Sequence, residues 1–353
     1  MSEICKLPLR ATALAAAMIA LAGAGPVLAQ AEIMPELRVT LAADDNTFNP
    51  TTSSVFQLAQ DLGFYDKHKV KVIFIGLDGT PLAAAALRSG AVDVAHITID
   101  AAIRLKAENA FPVRGFAAVS TGIPFLIAAR DDIKTMADLV GRSFAVADNG
   151  SLDHQLTQAA LRSFGIDPSG PNFVAIGAPA VRVQALAVNR IDATTVSFGT
   201  YAAVENTPGL HVLLSPDQLA LRAPAQPKFL VARDDILKEK RVALQRFTDA
   251  LIDTAREIET KPDLWIEAAT AGRPDLSRES IERTAKFNST LWCVNGCMRP
   301  EMLATSLDFT YSNPDFKDVP VIGVADITDL SFTDKSMETM GVFGGIGMDG
   351  RGH

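Results

Sequence analysis

Cysteine is scarce in this chain. Its 353 residues hold three, Cys5, Cys293 and Cys297. The five histidines, His68, His96, His154, His211 and His353, stand singly with no paired ligand spacing, which argues against a zinc site. Positive charge is also short: 33 Lys and Arg face 41 Asp and Glu, a net charge of −8. So acidic a chain is a poor partner for nucleic acid or an anionic membrane. Beyond the first thirty residues no run is long and apolar enough to span a bilayer. Walker A, HExxH and GxSxG sequences are all missing, so no catalytic signature is visible. Gly345 to Gly350 match GxGxxG by letter, but no strand precedes them and no helix follows, so the match is accidental.

What is present begins with an export signal. Lys6 and Arg10 precede the apolar stretch ATALAAAMIALAGAG, and VLA and AQA offer small residues for cleavage after Ala29 or Ala31. A membrane anchor is the rival reading, but the run is short, alanine-rich and ends in a cleavable pattern. No Cys follows it to carry a lipid. Residues 1–31 are therefore read as a signal peptide and the remainder as exported and free in solution. Removing 31 of 353 residues leaves 322, with 31 basic and 40 acidic side chains and a net charge of −9. At about 150 residues per domain, that length suggests two domains. Export also places Cys293 and Cys297, in CVNGC, where disulfides persist, and the Asn-Gly turn brings them together. So small a loop contributes roughly 2 kcal/mol, mainly as local stiffening.

One phrase occurs twice. GTPLAAAALRSGAVDVA begins at Gly79, and GAPAVRVQALAVNRIDAT at Gly177. Leu87 stands six residues before Asp93, and Leu186 six before Asp192. Each copy reads as loop, helix and strand. Thr80 is expected to cap the first helix with Pro81 in its first turn, and Gly90 and Asn189 to stop the two helices in the left-handed conformation. LRVTLA and KVKVIFI read as strands around a helix from about Val55 to Leu62. SFAVA and LDHQLTQAALRSF form another strand and helix, the latter with Leu152, Leu156, Ala159, Ala160 and Phe164 on one face. Such alternation predicts an α/β protein with parallel sheets covered by helices. Beyond Phe229, RVALQRFTDALIDTAREIE and SRESIERTAKFNSTLW read as helices that return to cover the first half, and residues 341–353 as a flexible tail.

In sheets of this kind ligands sit beyond the carboxyl ends of the strands. The candidates there are Asn46, Thr47, Phe48 and Thr52, then Asp78, Gly79 and Thr80, then Thr98 and Asp100. Ser120 and Thr121, Asn149, Gly150 and Ser151, and Ser197, Phe198 and Tyr201 complete the polar and aromatic set, with Arg222 as a basic member. Taken singly, each fits ordinary capping or turn chemistry. Drawn from both halves, the set fits a cleft. Helix starts near 80–82 and 150–152 favour an anion. Asp78, Asp100 and Asp153 favour a neutral or amine-bearing ligand, so the ligand's charge stays open. Arg182 and Arg222 are the basic residues placed near the cleft, although an outer helix face is equally open to Arg182. His154, beside Asp153, reads as a solvated or cleft-lining residue.

Four passages carry a resemblance. LGFYDKHKVKVIFI, LRSGAVDVA, MADLVGRSFAV and NRIDAT resemble, in order and spacing, passages of the nitrate, sulfonate and taurine class of periplasmic solute-binding proteins, which includes binders of thiamine-pyrimidine precursors. The resemblance runs from about Leu37 to Phe247. It implies the type II periplasmic-binding-protein fold: two Rossmann-like α/β lobes joined by two crossing strands, with a helical C-terminal extension. Residues 32–125 would begin lobe 1, 126–228 form lobe 2, and 229–340 return to lobe 1. PFLIAAR and PKFLVAR resemble each other and would be the crossings. A small solute, sulfonate-, carboxylate- or pyrimidine-like, would be captured by hinge closure and passed to an ABC transporter permease. The chain would act as a monomer, without cofactor, metal or catalysis. Asn189 in place of the usual Gly, the cysteine pair, and a first loop without a basic residue depart from the class. A same-fold enzyme of thiamine-pyrimidine or menaquinone synthesis and an extracellular ligand-sensing module are the alternatives.

Overall fold

The computed structural model describes residues 34–42, 48–77, 79–108, 110–122, 124–223 and 228–344. The export signal, Asn46, Thr47, Asp78 and the tail from residue 345 lie outside the described residues.

Among the described residues, ten strands form two five-stranded sheets. In chain order they are β1 (Glu36–Thr40), β2 (Lys71–Phe74), β3 (Val94–Thr98), β4 (Val113–Ala117), β5 (Phe125–Arg130), β6 (Ser143–Val146), β7 (Asn172–Ala175), β8 (Ala193–Ser197), β9 (Leu210–Leu214) and β10 (Lys228–Arg233). The first sheet has the order β2-β1-β3-β10-β4 and the second β7-β6-β8-β5-β9. β3 and β8, third in each order, are buried along their whole length. Covered on both faces, such strands need the continuous apolar and β-branched runs seen there. Among the described residues no helix is long and apolar enough to cross a membrane.

The twice-written phrase is a twice-built unit. Its two aspartates do the same structural work. Asp93 accepts from the Arg38 backbone N–H at 2.9 Å and donates its own N–H to the Arg38 carbonyl at 2.8 Å. Asp192 accepts from the Ser143 N–H at 2.9 Å and donates to the Ser143 carbonyl at 3.0 Å. Each therefore fastens the strand it opens to the neighbouring parallel strand, β3 to β1 and β8 to β6. The Arg38 guanidinium and Lys240 also reach Asp93, and although burial opposes it, these bonds hold its carboxyl below the usual range. Gly90 and Asn189 both have the expected left-handed backbone, with φ of 76° and 57°.

The two similar segments hold equivalent places as well. β5 is antiparallel to β8 and β9 in the second sheet, and β10 is antiparallel to β3 and β4 in the first. Each carries a register shift against the outermost strand, at Ile127/Ala128 and at Leu230/Val231. PFLIAAR and PKFLVAR, expected as the crossings, supply strands β5 and β10 inside the sheets, and residues 118–122 lead from β4 in the first sheet toward β5 in the second as the first crossing.

Helix Arg241–Thr260 lies over the first sheet, stacking Phe247 on Phe56 and Tyr65. A later helix in the C-terminal region departs from expectation. Arg278–Asn288 does not confine itself to the first half but reaches the second, where Phe287 stacks on Phe198 at 5.6 Å and Arg283 pairs with Glu205. Cys293 and Cys297 are disulfide-bonded and buried.

Candidate binding cleft

A cavity of about 630 Å³ lies between the sheets, with walls from both. Four helices of eight or more residues begin on it. Ser53 and Ser54 open Ser54–Asp61; Gly79 and Thr80 open Gly79–Ser89; Ser151 and Leu152 open Leu152–Ser163; Ala178, Pro179 and Ala180 open Pro179–Ala187. Each start presents the positive end of a helix dipole, so their fields add in favour of negative charge. The apolar walls are Leu41, Phe48, Phe56, Phe74, Val119, Phe125 and Leu152.

Of the expected site residues, Phe48, Thr52, Gly79, Thr80, Ser120, Ser151 and Ser197 line this cavity. Thr80 does so in an unexpected way. It sits inside the helix rather than capping it, is 2 % exposed, and its Oγ1 has no hydrogen-bond partner among the described residues. Ser151 Oγ lies 2.6 Å from both Asp148 O and Asp153 Oδ1.

The others are placed elsewhere. Thr98 is buried at the end of β3. The Asp100 carboxylate accepts the Gln155 amide at 2.6 Å, a bond between the two halves, and burial pushes its carboxyl up from the usual range. Thr121 pairs with Leu291 and Thr290. Asn149 and Gly150 form a turn, with the Gly150 N–H donated to His154 Nδ1 at 2.9 Å. Phe198 faces Phe287, and Tyr201 packs into the second core. Arg222 lies on an outer surface, donating to Gln218 O at 2.8 Å and stacking over Phe164 at 4.4 Å.

The sequence reading left Arg182 open and missed His96, Lys228 and Arg273, all of which line the cavity. Arg182 is 2 % exposed, and its position four residues before Leu186 puts it on the helix's inner face. It donates to Gly177 O at 2.5 Å and Thr195 O at 3.3 Å, and stands 3.3 Å from Asp153 Oδ2. Its Nε has no partner among the described residues. Asp153, which the sequence set against an anion, is engaged by Arg182, Ser151 and the Ala147 N–H. Its charge is therefore neutralised within the wall. Arg273 forms a two-pronged pair with Asp275 at 2.8 and 2.7 Å. Among the described residues no three His, Cys, Asp or Glu side chains come together as a metal site.

His96 is the one ionisable residue in a buried strand otherwise made of Val, Ala, Ile and Thr, the one signal that could have singled it out. It is 4 % exposed, edges against Phe56, and its Nδ1 lacks a partner among the described residues. Burial, then the charge of Lys228, hold its pKa well below the ordinary 6.5. Below pH 6.5 the unfolded chain binds a proton here that the folded chain refuses. Stability from this residue is thus present above 6.5 and falls with pH below it, by up to about 1.4 kcal/mol per pH unit. His154, lowered mainly by burial, acts in the same direction, whereas Glu259, pushed up to about 6 by burial, opposes it between 4.5 and 6. Urea unfolding of wild type and His96→Gln from pH 7 to 5 should give a shallower pH slope in the variant. Equal slopes would contradict a neutral His96.

The fold is that of the periplasmic binding proteins. A protein of Bordetella bronchiseptica RB50 superposes with a TM-score of 0.75 at 18 % identity, covering 86 % of this chain and 98 % of its own. The ligand-binding component of an ABC-type import system from Staphylococcus aureus, with zinc bound, gives 0.67 at 15 % identity and coverages of 86 % and 99 %. The alkanesulfonate-binding protein SsuA from Xanthomonas axonopodis pv. citri, bound to MOPS, gives 0.64 at 17 % identity and coverages of 82 % and 96 %. Comparison with curated proteins at the level of sequence returned no match. The profile of one family matches residues 51–264, more than half of the chain. The chain belongs to the NMT1/THI5-like family.

Proposed function

We propose that this chain is the solute-binding component of an ABC importer, and that its solute is a small organic anion with an apolar body. The observation that carries this reading is the meeting of four helix starts with the buried guanidinium of Arg182 on one cavity. The Arg182–Asp153 pair is neutral overall, so the four positive dipole ends supply the field for one negative group, and the unpartnered Arg182 Nε adds a donor in the wall. A sulfonate or carboxylate supplies that charge and its acceptors. The phenylalanine-rich walls take the rest of the molecule, as is usual for cavities of this size. The Staphylococcus and Xanthomonas proteins of the same fold, an import-system component and an alkanesulfonate binder, agree with this reading.

On this reading residues 1–31 are removed on export and the mature chain is a periplasmic monomer. Lobe 1 begins with residues 32–125, lobe 2 comprises 126–228, and 229–340 return. The lobes close on the solute by hinge motion and offer it, unchanged, to a permease. A thermal-shift panel of alkyl and aryl sulfonates, carboxylates, pyrimidines and amines tests the assignment. A ligand at a hundred times its dissociation constant adds about 2.7 kcal/mol. Upward shifts confined to anions are expected, and the bound molecule should be recovered intact by mass spectrometry. A hit restricted to amines would overturn the charge argument, and conversion of the hit would overturn the transport role.

A further inference from the structure

The disulfide has no part in the cavity, yet its loop lies along the first crossing. Ala118 donates its N–H to Gly296 O at 3.3 Å, and Thr121 donates to Leu291 O at 3.0 Å. Between them Ser120 and Trp292 form an antiparallel bridge, and Thr121 Oγ1 reaches Thr290 O at 3.4 Å. Residues 290–296 thus run beside 118–122 like an added strand. Val119 and Ser120 of that same crossing line the cavity.

The segment is fixed at both ends, but to different halves of the protein. Toward the first sheet, Trp292 and Val294 enter one core cluster and Cys293, Cys297 and Met298 another. Arg256, on the helix over that sheet, donates to Val294 O at 2.8 Å and to Asn295 Oδ1 at 3.1 Å. Toward the second sheet, the preceding helix lays Phe287 on Phe198 and pairs Ser280 and Arg283 with Glu205. A hinge made only of two chain crossings would need none of these contacts.

We propose that residues 278–298, closed by Cys293–Cys297, form a third connection between the halves, a brace that stiffens the first crossing and sets how far the cleft opens. The disulfide holds the Asn295-Gly296 turn in the shape that presents the Gly296 carbonyl to Ala118. The effect on ligand capture rests on the binding role proposed above; the effect on the crossing does not.

Hydrogen exchange of the ligand-free protein therefore tests the brace on its own. In Cys293→Ala/Cys297→Ala, the Ala118 and Thr121 amides should exchange at least about tenfold faster than in wild type, while those of β3 keep their rates. Unchanged rates at Ala118 and Thr121 would overturn the proposal. So would equal acceleration across both sheets, which would make the disulfide a general stabiliser only. Should the double variant fail to fold, Glu205→Gln/Arg283→Met cuts the link to the second half at a partly exposed pair. Small-angle scattering of that ligand-free variant should show a larger radius of gyration than wild type. Identical scattering would contradict a third connection.

Discussion

Arg182→Met is expected to lose both stability and ligand. The side chain occupies the first turn of Pro179–Ala187, where the helix dipole disfavours a cation, and it is buried as well. It is tolerated because Gly177 O, Thr195 O and Asp153 surround it. Removing it strands the Asp153 carboxylate, 4 % exposed, with hydrogen bonds but no countercharge. Breaking a buried pair in this way costs about 3–5 kcal/mol, to be read by urea unfolding. Arg182→Met/Asp153→Asn removes both charges and should recover much of that loss. It should not recover binding. Affinity for the anion found in the panel should fall at least about 30-fold in both variants, the lower end of the cost of losing a buried charged partner. Arg182→Lys keeps the charge but not the fork of donors, and should fall between. Wild-type affinity in the double variant would remove Arg182 from the site.

Gly199→Ala should act on closure rather than on stability. Gly199 belongs to the short helix after β8, in the second half, and Pro50 to the loop before Ser54–Asp61, in the first. A Cβ at Gly199 would stand 2.4 Å from the Pro50 carbonyl oxygen and 2.9 Å from two Pro50 ring carbons. The added methyl wedges the halves apart at the wall of the cavity. Overpacking of this kind costs about 1–3 kcal/mol. On a two-state view the cost falls on the closed arrangement alone. Affinity should then drop roughly 5- to 150-fold, while the ligand-free unfolding midpoint stays near wild type. An equal loss of stability without ligand would mean that Pro50 and Gly199 do not separate.

These two residues also mark where sequence reasoning reached its limit. The repeated phrase, its left-handed stops and its buried strands were legible because each is written in local chemistry: a Gly or Asn after a helix, a β-branched run after an Asp. Loops at strand ends identified Phe48, Thr52, Gly79, Thr80, Ser120, Ser151 and Ser197 as cavity residues for the same reason. Arg182 could not be settled, because a helical arginine faces solvent or core according to packing that lies elsewhere in the chain. Phe198 and Thr121 belong to strand ends too, yet their space is taken by Phe287 and Leu291, about 90 and 170 residues away. No periodicity reports that Arg278–Asn288 lies across both halves. Asp153 misled for a related reason: a carboxylate at a helix start reads as a repulsive charge until the arginine that cancels it is seen beside it.

The most direct measurement is calorimetric titration of the chain from Glu32 with three molecules of one aryl skeleton, bearing a sulfonate, a carboxylate or an aminomethyl group. An anion site beside Arg182 requires saturable binding of at least one anion, no heat from the amine, and loss of the anion signal in Arg182→Met/Asp153→Asn. Binding of the amine in preference to both anions, or anion binding untouched by the double substitution, would contradict it.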